Sequence, residues 1–580
     1  MMASRLKEKG HSLRIIIVGI IFFILWIIIV GRLAQLQIID YRQYKNKAED
    51  LRVFKEEEVA ERGEIFVEEK NEKMPVVMNI YHYNLIAVPN NIIDPVEMIK
   101  KIAGALDQST DENNEKFKEI LAKISKKNDW YEILYKKLTQ SEVEKIKKLL
   151  LKGIYFEKEI ERFYFEKNDL SHLLGFYGYN GDQRVGRYGV EEFYENVLSG
   201  KEGLVEGERS RTGILIPTAE NIVKDPQDGS DIVLTIDRVV QNKACEIIGE
   251  AVDKYKAESG TILVINPKTG EVISMCSVPS FDPNNYTKVS SSKVYSNTAV
   301  SYQYEPGSVF KVITFAAALE DGKITPETVF EDKGVVKIGN YNIRNAANKV
   351  YGEITMRTVL EKSVNTGAIF AAQEIGLSRF SYYVRKFGFG KKTEIDLPGE
   401  TKGDTSNLSE KSDIYLATAS FGQGIAVTPI QMVMSFAAVA NQGKLMKPYL
   451  VKEIVSGENT FVNQPQEVTQ VISARTASTL RDLMISAVEN GWGKKARVQG
   501  YLVAGKTGTA EVPALKGYQD ETIHSFIGFA PADDPKFVAL VKLDNPNTAL
   551  FSDQTVTPAF GKLADFILKY YQIPPTVKNE

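Results

Sequence analysis

Seventeen consecutive residues without a charge, Ile15 to Gly31, nearly all Ile, Val, Phe, Leu or Trp, stand between Arg14 and Arg32. As a helix rising about 1.5 Å per residue the run is roughly 25 Å long, slightly short of a hydrocarbon core of about 30 Å. Leu33, Leu36, Ile38 and Ile39 carry an apolar face further, and Arg32 has the reach to snorkel to the interface. A cleavable signal peptide is the competing reading, but the run exceeds the usual apolar region of about 7 to 15 residues, and no small-x-small cleavage site comes after it. The expectation is an uncleaved, single transmembrane helix over residues 15–39, behind a tail of residues 1–14. Arg5, Lys7, Lys9 and Arg14 against Glu8 leave that tail with a charge of +3, whereas residues 32–58 carry six basic and six acidic side chains. The basic side belongs in the cytoplasm, which places everything after residue 40 across the membrane.

The rest of the chain is ordinary globular material, with 43% hydrophobic and 25% charged residues among 580. A formal net charge of −3 argues against a dedicated nucleic-acid binder, which would need to neutralise phosphates. His11, His82, His172 and His524 lie far apart with no metal-ligand spacing, so structural zinc and haem are not expected. Cys245 falls in a helical pattern and Cys276 in a strand pattern; both read as buried thiols, small core residues rather than a bridge.

Residues 40–225 read as irregular α+β with many charges. A helix is expected from Thr139, where Thr-Gln-Ser-Glu142 forms a capping box, through Val143, Ile146, Leu149 and Leu150 to Gly153. Its lysines read as a solvated face. No catalytic constellation appears in this half, which looks like a spacer or docking module. After Pro226, Asp228 and Gly229 the pattern becomes a compact domain, residues 226–575. Thr261–Ile265 and Glu271–Ser277 are β-rich and joined by Asn-Pro-Lys-Thr-Gly; Tyr501–Val503, Ser525–Ala530 and Phe537–Leu543 are β-rich again. Between them, residues 308–490 are mostly helical patterns, and a helix over about Thr557–Tyr570 is expected to cover the sheet. Strands at both ends with helices between predict an α+β domain with one antiparallel sheet and a helical lobe.

Three short motifs lie in that domain. Glu305-Pro-Gly-Ser308-Val-Phe-Lys311 opens an apolar helix, with Lys311 one turn beyond Ser308 on the same face. A serine needs a base to act as a nucleophile, and a lysine made neutral by burial can supply one. Alone the pair is more simply an N-cap serine beside a surface lysine. Ser363-Val364-Asn365 falls between two helical patterns, and Lys506-Thr507-Gly508-Thr509 comes after the apolar run Tyr501–Ala504, with Gly508 leaving room for a ligand's backbone against the strand. Each is bland alone, but Ser-x-x-Lys, Ser-x-Asn and Lys-Thr-Gly in this order within one α+β domain are specific.

One rival pattern uses the same residues. Gly500 to Thr507 also fits the phosphate-loop pattern G-x-x-x-x-G-K-[ST]. That loop needs a helix directly after its lysine; here the intervening residues are strand-like, and Gly508 and Pro513 interrupt any helix beyond Lys506. The nucleotide-binding reading is set aside.

The ordered motifs are those of penicillin-binding proteins and class A β-lactamases, with Val364 where their middle motif has Asp. From about residue 13 to 575 the chain resembles class B penicillin-binding proteins, the monofunctional transpeptidases of bacterial cell-wall synthesis. Besides the three motifs, Gly31-Arg32-Leu33, Arg62-Gly63-Glu64-Ile65, His172-Leu-Leu-Gly-Phe176, Gly189-Val-Glu191, Leu234-Thr-Ile-Asp237, Pro279–Asn284, Phe421-Gly-Gln-Gly424 and Ser525–Phe529 carry the resemblance. After Arg62-Gly63 the chain departs, with Phe-Val-Glu-Glu-Lys-Asn where members continue Asp-Arg-Asn-Gly.

The resemblance implies an anchor, a pedestal of the penicillin-binding protein dimerisation type (40–225) and a penicillin-binding, β-lactamase-like transpeptidase domain (226–575). It implies Ser308 as nucleophile, Lys311 as base, Ser363 and Lys506 as proton relay, and Asn365, Thr507, Gly508 and Thr509 as the residues that bind a D-Ala-D-Ala stem peptide. No metal or organic cofactor is implied. The compact pedestal and the end of the chain soon after Ile573-Pro-Pro resemble division-type, septal members more than side-wall ones. Expected partners are the peptidoglycan donor and amine acceptor, β-lactams, the bacterial cytoplasmic membrane, a multi-pass glycosyltransferase of the shape, elongation, division and sporulation (SEDS) family, and other divisome proteins. A β-lactamase or β-lactam sensor shares the three motifs and is separated by its deacylation rate.

Overall fold

A computed structural model describes residues 2–70, 72–126, 129–208, 222–410, 412–513 and 517–577, the backbone alone over 2–14, 46, 48–58, 205–208 and 222–223. The chain forms two compact units, Met1–Glu61 with Gly200–Gly229, and Arg62–Ser199 with Ser230–Glu580.

In the first unit one helix runs from Met2 to Ala34 and widens into a π turn over Gln35–Ile39. Ile15–Ile39 is long and apolar enough to cross a membrane and buries none of its surface against the protein. Next come a helix over Tyr41–Arg52 and an antiparallel sheet of Val53–Glu58, Gly203–Glu208 and Ile222–Lys224.

The second unit holds two larger sheets. One runs in the order Asn459–Val462, Val451–Ser456, Asp231–Asp237, Ile65–Glu69, Glu72–Ala87, Glu132–Leu138, with Ile154–Tyr164 pairing Glu72–Ala87 as well. Its one parallel step, Ile65–Glu69 beside Asp231–Asp237, welds the early part of the chain to the late part. The helix capped by Thr139 and Glu142 forms as the capping box requires, but it spans only Gln140–Lys147. Val143 and Ile146 are buried, while Leu150 is 88% exposed in a left-handed conformation, so the expected extension to Gly153 is a loop.

The second sheet is fully antiparallel and lies beside the site. Its surroundings in chain order are α1 (Arg238–Tyr255), β1 (Ser259–Ile265), β2 (Val272–Val278), α2 (Lys311–Glu320), α3 (Met356–Lys362), α4 (Asn365–Lys386), α5 (Pro429–Ala440), α6 (Ala474–Glu489), β3 (Ala504–Pro513), β4 (Tyr518–Ala530), β5 (Phe537–Asp544) and α7 (Val556–Tyr570). The strand order is β2-β1-β5-β4-β3. Successive side chains of a strand point to opposite faces, and β1, β2, β5 and residues 525–530 of β4 are largely apolar because both faces are covered. Ile262, Val264, Phe526 and Val541 pack with Val240, Ile248, Phe560 and Leu563 of α1 and α7. Leu263, Ile265, Ile527 and Leu540 pack in the core shared with Phe315 of α2 and Met432 of α5.

Two expectations are corrected here. Tyr501–Val503 is not strand; β3 starts at Ala504, so Lys506–Thr509 lies within the strand rather than after it. Cys245 and Cys276 are not separate thiols but a disulfide. α1 packs on β2 with the two Cα atoms 5.5 Å apart, a distance a bridge spans and one that helical and strand periodicity do not disclose. The region 308–490 also contains short hairpins, Val329–Asp332 with Gly352–Thr355 and Val335–Ile338 with Tyr341–Arg344, among the helices.

Candidate active site

Pro306 and Gly307 lead into one 3-10 turn, Gly307–Phe310, that continues directly as α2. Gly307 has φ +59°, and its N–H donates to the Gly422 carbonyl at 3.0 Å. A Cβ on Gly422 would come within 2.2 Å of the Gly307 oxygen, so only glycine lets the Phe421–Gly424 turn close on the Ser308 turn. Within this start of α2, Val309, Phe310 and Lys311 are buried and Ser308 is half-exposed. The helix is buried from Lys311 to Ala318, which carries the lysine into the interior with its apolar neighbours.

Ser363 ends α3 in the left-handed region, φ +58°, and reverses the chain into α4. That reversal turns the Ser363 carbonyl and hydroxyl and the Asn365 amide toward Lys311. Lys311 Nζ donates to the Ser363 carbonyl at 2.6 Å, to Asn365 Oδ1 at 2.8 Å and to Ser363 Oγ at 3.2 Å. From β3, Lys506 Nζ donates to Ser363 Oγ at 2.9 Å, to the Thr507 carbonyl at 2.9 Å and to Thr507 Oγ1 at 3.4 Å. One hydroxyl thus lies between two amines that are 0% and 2% exposed. Burial, with Lys506 adding repulsion, pushes the Lys311 ammonium well below the ordinary lysine range. Burial alone brings Lys506 down to about 7. Amines of this kind are proton acceptors near neutrality, which an exposed lysine is not.

Five of the expected residues, Lys311, Ser363, Asn365, Lys506 and Thr507, are joined by hydrogen bonds. Ser308 stands one turn from Lys311 with no hydrogen bond from its hydroxyl to any described residue. The Thr509 hydroxyl accepts from the Ser552 N–H and pairs with the Ser552 hydroxyl, both at 3.2 Å. Gly508 is required by its protein neighbours as well. A Cβ there would lie 2.6 Å from Ser525 Oγ, 3.0 Å from Val309 and 3.2 Å from the Pro306 oxygen, so the glycine admits the Ser308 turn itself against β3. Lys506 and Thr507 sit in a strand with no helix behind them, which removes the phosphate-loop geometry.

Sequence reasoning missed the support behind Asn365. Buried Asp332 accepts from Asn345 Nδ2 (3.0 and 2.9 Å) and from the Thr366 hydroxyl (2.7 Å), Asn345 Oδ1 accepts the Thr366 N–H (3.1 Å), and Asn365 Nδ2 donates to the Arg344 carbonyl (3.0 Å). These partners come from separate hairpins and carry no local signal. The Phe421–Gly424 glycines, by contrast, were visible in sequence without their contact. Among the described residues no cluster of His, Cys, Asp or Glu is placed to hold a metal ion.

Residues 260–565 match the penicillin binding protein transpeptidase domain, and residues 57–234 the penicillin-binding protein dimerisation domain. Stage V sporulation protein D of Bacillus subtilis is 34% identical across 97% of this chain and 86% of its own length. Peptidoglycan D,D-transpeptidase FtsI of Buchnera aphidicola is 30% identical across 98% and 97%. Penicillin binding protein 2X of Streptococcus thermophilus shares the fold, with a TM-score of 0.78 at 22% identity over 89% of this chain and 80% of that one.

Proposed function

This chain belongs to the class B penicillin-binding proteins and is a peptidoglycan D,D-transpeptidase, and we propose that its acyl-enzyme forms on Ser308 with Lys311 as the base. The observation that carries the assignment is a buried Lys311, its proton affinity lowered by desolvation, one turn from Ser308 and hydrogen-bonded to Ser363 and Asn365. Ser308 Oγ attacks the carbonyl of the penultimate D-Ala of a stem peptide and passes its proton to Lys311. The carbon–nitrogen bond breaks, Ser363 delivers a proton to the departing D-Ala amine, and Lys506 re-protonates Ser363 through their 2.9 Å contact. Asn365 binds the stem-peptide amide; Thr507, Gly508 and Thr509 line the place of the terminal carboxylate. The oxyanion is held by the backbone N–H groups of Ser308 and Thr509. An amine from a neighbouring stem then attacks the acyl carbon and loses a proton through Ser363 to Lys506, the bond from the acyl carbon to Ser308 Oγ breaks, and Lys311 returns its proton to Ser308.

β-Lactams acylate Ser308 in the same way, because their strained amide imitates the D-Ala-D-Ala terminus. The apolar helix anchors the enzyme in the bacterial cytoplasmic membrane, the +3 tail inside and the catalytic part outside. In this reading residues 40–225 form the pedestal and 226–575 the transpeptidase domain. The setting is the division septum, beside a SEDS-type glycosyltransferase; the alternative is the side wall, and midcell against peripheral placement of a fluorescent fusion decides.

Ser308→Ala should abolish covalent labelling by a fluorescent penicillin while the protein stays folded; undiminished labelling would overturn the nucleophile. Lys311→Met should slow acylation by about 10²–10⁴-fold, the usual worth of a general base, at little cost in thermal stability.

A further inference from the structure

Glu305 lies three residues before Ser308 and joins three elements that converge there. One carboxylate oxygen accepts the Gly424 N–H at 2.9 Å, and the other accepts the Tyr518 hydroxyl at 3.1 Å. Gly424 belongs to the turn whose Gly422 carbonyl holds the Gly307 N–H. Tyr518 opens β4, directly across the β3–β4 hairpin from Pro513. β3, which carries Lys506, Thr507 and Thr509, touches the Ser308 turn closely at Gly508, where a Cβ would meet Val309 and Pro306, and at Ala510, which a Cβ on Gly307 would meet at 2.9 Å. The far end of the hairpin, residues 511–513 with 518–522, runs beyond the pairing of β4 with β5, which begins at Ile523. There the contact from Glu305 to Tyr518, on the returning arm of the hairpin, is a further tie to the Ser308 turn beyond the packing at Gly508 and Ala510.

We propose that Glu305 is a positioning residue for acylation: it locks the β3–β4 hairpin to the Ser308 turn and so sets the spacing between Ser308 and the Lys506–Thr509 segment. This rests on Ser308 being the nucleophile. The carboxylate's charge is not what the role requires. A glutamine can accept the Gly424 N–H through its oxygen and donate its amide to Tyr518 Oη, keeping both ties.

The test uses the full-length protein in detergent and measures the first-order acylation step and the apparent affinity separately with a fluorescent penicillin. Glu305→Ala should slow the acylation step by about 10-fold or more, as sub-ångström misplacement of reacting groups does, with affinity changed less. Glu305→Gln should stay within about threefold of the parent, and Tyr518→Phe should lose about two- to tenfold, the usual net worth of one hydrogen bond. Tyr518 is 41% exposed and the change removes one oxygen, so this variant reports even where Glu305→Ala fails to fold. Parental acylation steps in both Tyr518→Phe and Glu305→Ala would overturn the proposal, as would a Gln variant as slow as the Ala variant. Ser308→Ala runs alongside: if it still labels, the nucleophile assignment itself has failed, whereas silent Ser308→Ala with unaffected Glu305 variants removes the positioning role alone.

Discussion

Lys506 is almost wholly buried, and the cost of burying its charge holds the ammonium near 7 against an ordinary value of 10.5. Between those values the unfolded chain binds a proton that the folded chain does not. Stability therefore rises with pH across that window, by about 1.4 kcal/mol per pH unit from this one group. Below about pH 7 both states are protonated, and the contribution is constant. Lys506→Met has no such proton to lose. The difference in unfolding free energy between parent and variant, from denaturant titrations at about pH 7 and about pH 10, should move in the parent's favour as pH rises; a pH-independent difference would mean that Lys506 is charged when folded. This residue also shows what sequence could deliver. The order of Ser308-x-x-Lys311, Ser363-x-Asn365 and Lys506-Thr-Gly pointed to the chemistry because each motif is a short contiguous string, recognisable before any contact between the segments is known. Glu305 and Gly422 were legible only as members of motifs, and Asp332 and Asn345 not at all, because their work lies in contacts with residues from 13 to more than 200 positions away.

Among the elements, the central sheet was legible in β1, β2, β5 and residues 525–530 of β4, which alternate side chains between two covered cores and read as apolar runs, whereas residues 518–524 of β4 are mostly polar and gave no strand signal. β3 was misplaced by three residues because Lys506, Thr507, Gly508 and Thr509 are polar or small for a strand; their burial comes from the Ser308 turn on one side and Ser552 on the other. The disulfide was misjudged for a related reason: periodicity says that Cys245 and Cys276 face a core, not that they face each other. The bridge closes a separation of 31 residues and pins α1 to β2, which constrains the unfolded chain by about 2–4 kcal/mol. The double variant Cys245→Ala with Cys276→Ala should lose stability of that order in denaturant unfolding. Penicillin labelling of Ser308 should persist, because the bridge lies on the face of the sheet packed by α1 and not in the Ser308–Lys506 cluster. Thiol alkylation under denaturing, non-reducing conditions should modify neither cysteine of the parent.

At the scale of the molecule, the Arg62–Ser199 part of the second unit is cross-linked over as many as 129 residues by one buried carboxylate. Glu191 is fully buried and accepts from Arg62 Nε at 2.8 Å, Arg162 Nε at 2.9 Å and the Tyr164 hydroxyl at 3.1 Å, and Arg62 also reaches Glu195 at 2.7 Å. The two segments that looked like separate family signatures, Arg62-Gly63-Glu64 and Gly189-Val-Glu191, are therefore the two halves of a single ion cluster. Burial pushes the Glu191 carboxyl up, but the facing Arg162 and Arg62 charges outweigh it and hold the group below the usual glutamate range. A carboxylate depressed in the folded state stabilises fully above its unfolded value, near 4.5, and that contribution disappears as pH falls through the folded value. Replacing it by alanine leaves the buried Arg162 guanidinium without its counter-ion and Arg62 with Glu195 alone, and breaking a buried pair in this way costs about 3–5 kcal/mol. Glu191→Ala should thus unfold at markedly lower denaturant at about pH 7. Glu191→Gln, which keeps one acceptor but no charge, should fall between it and the parent. Lowering pH from about 5 toward about 2 should narrow the gap between parent and Glu191→Gln, because below about 4.5 the unfolded parent takes up a proton that the folded parent holds off. A gap that stayed constant over that whole range would show that Glu191 contributes packing and hydrogen bonds rather than charge.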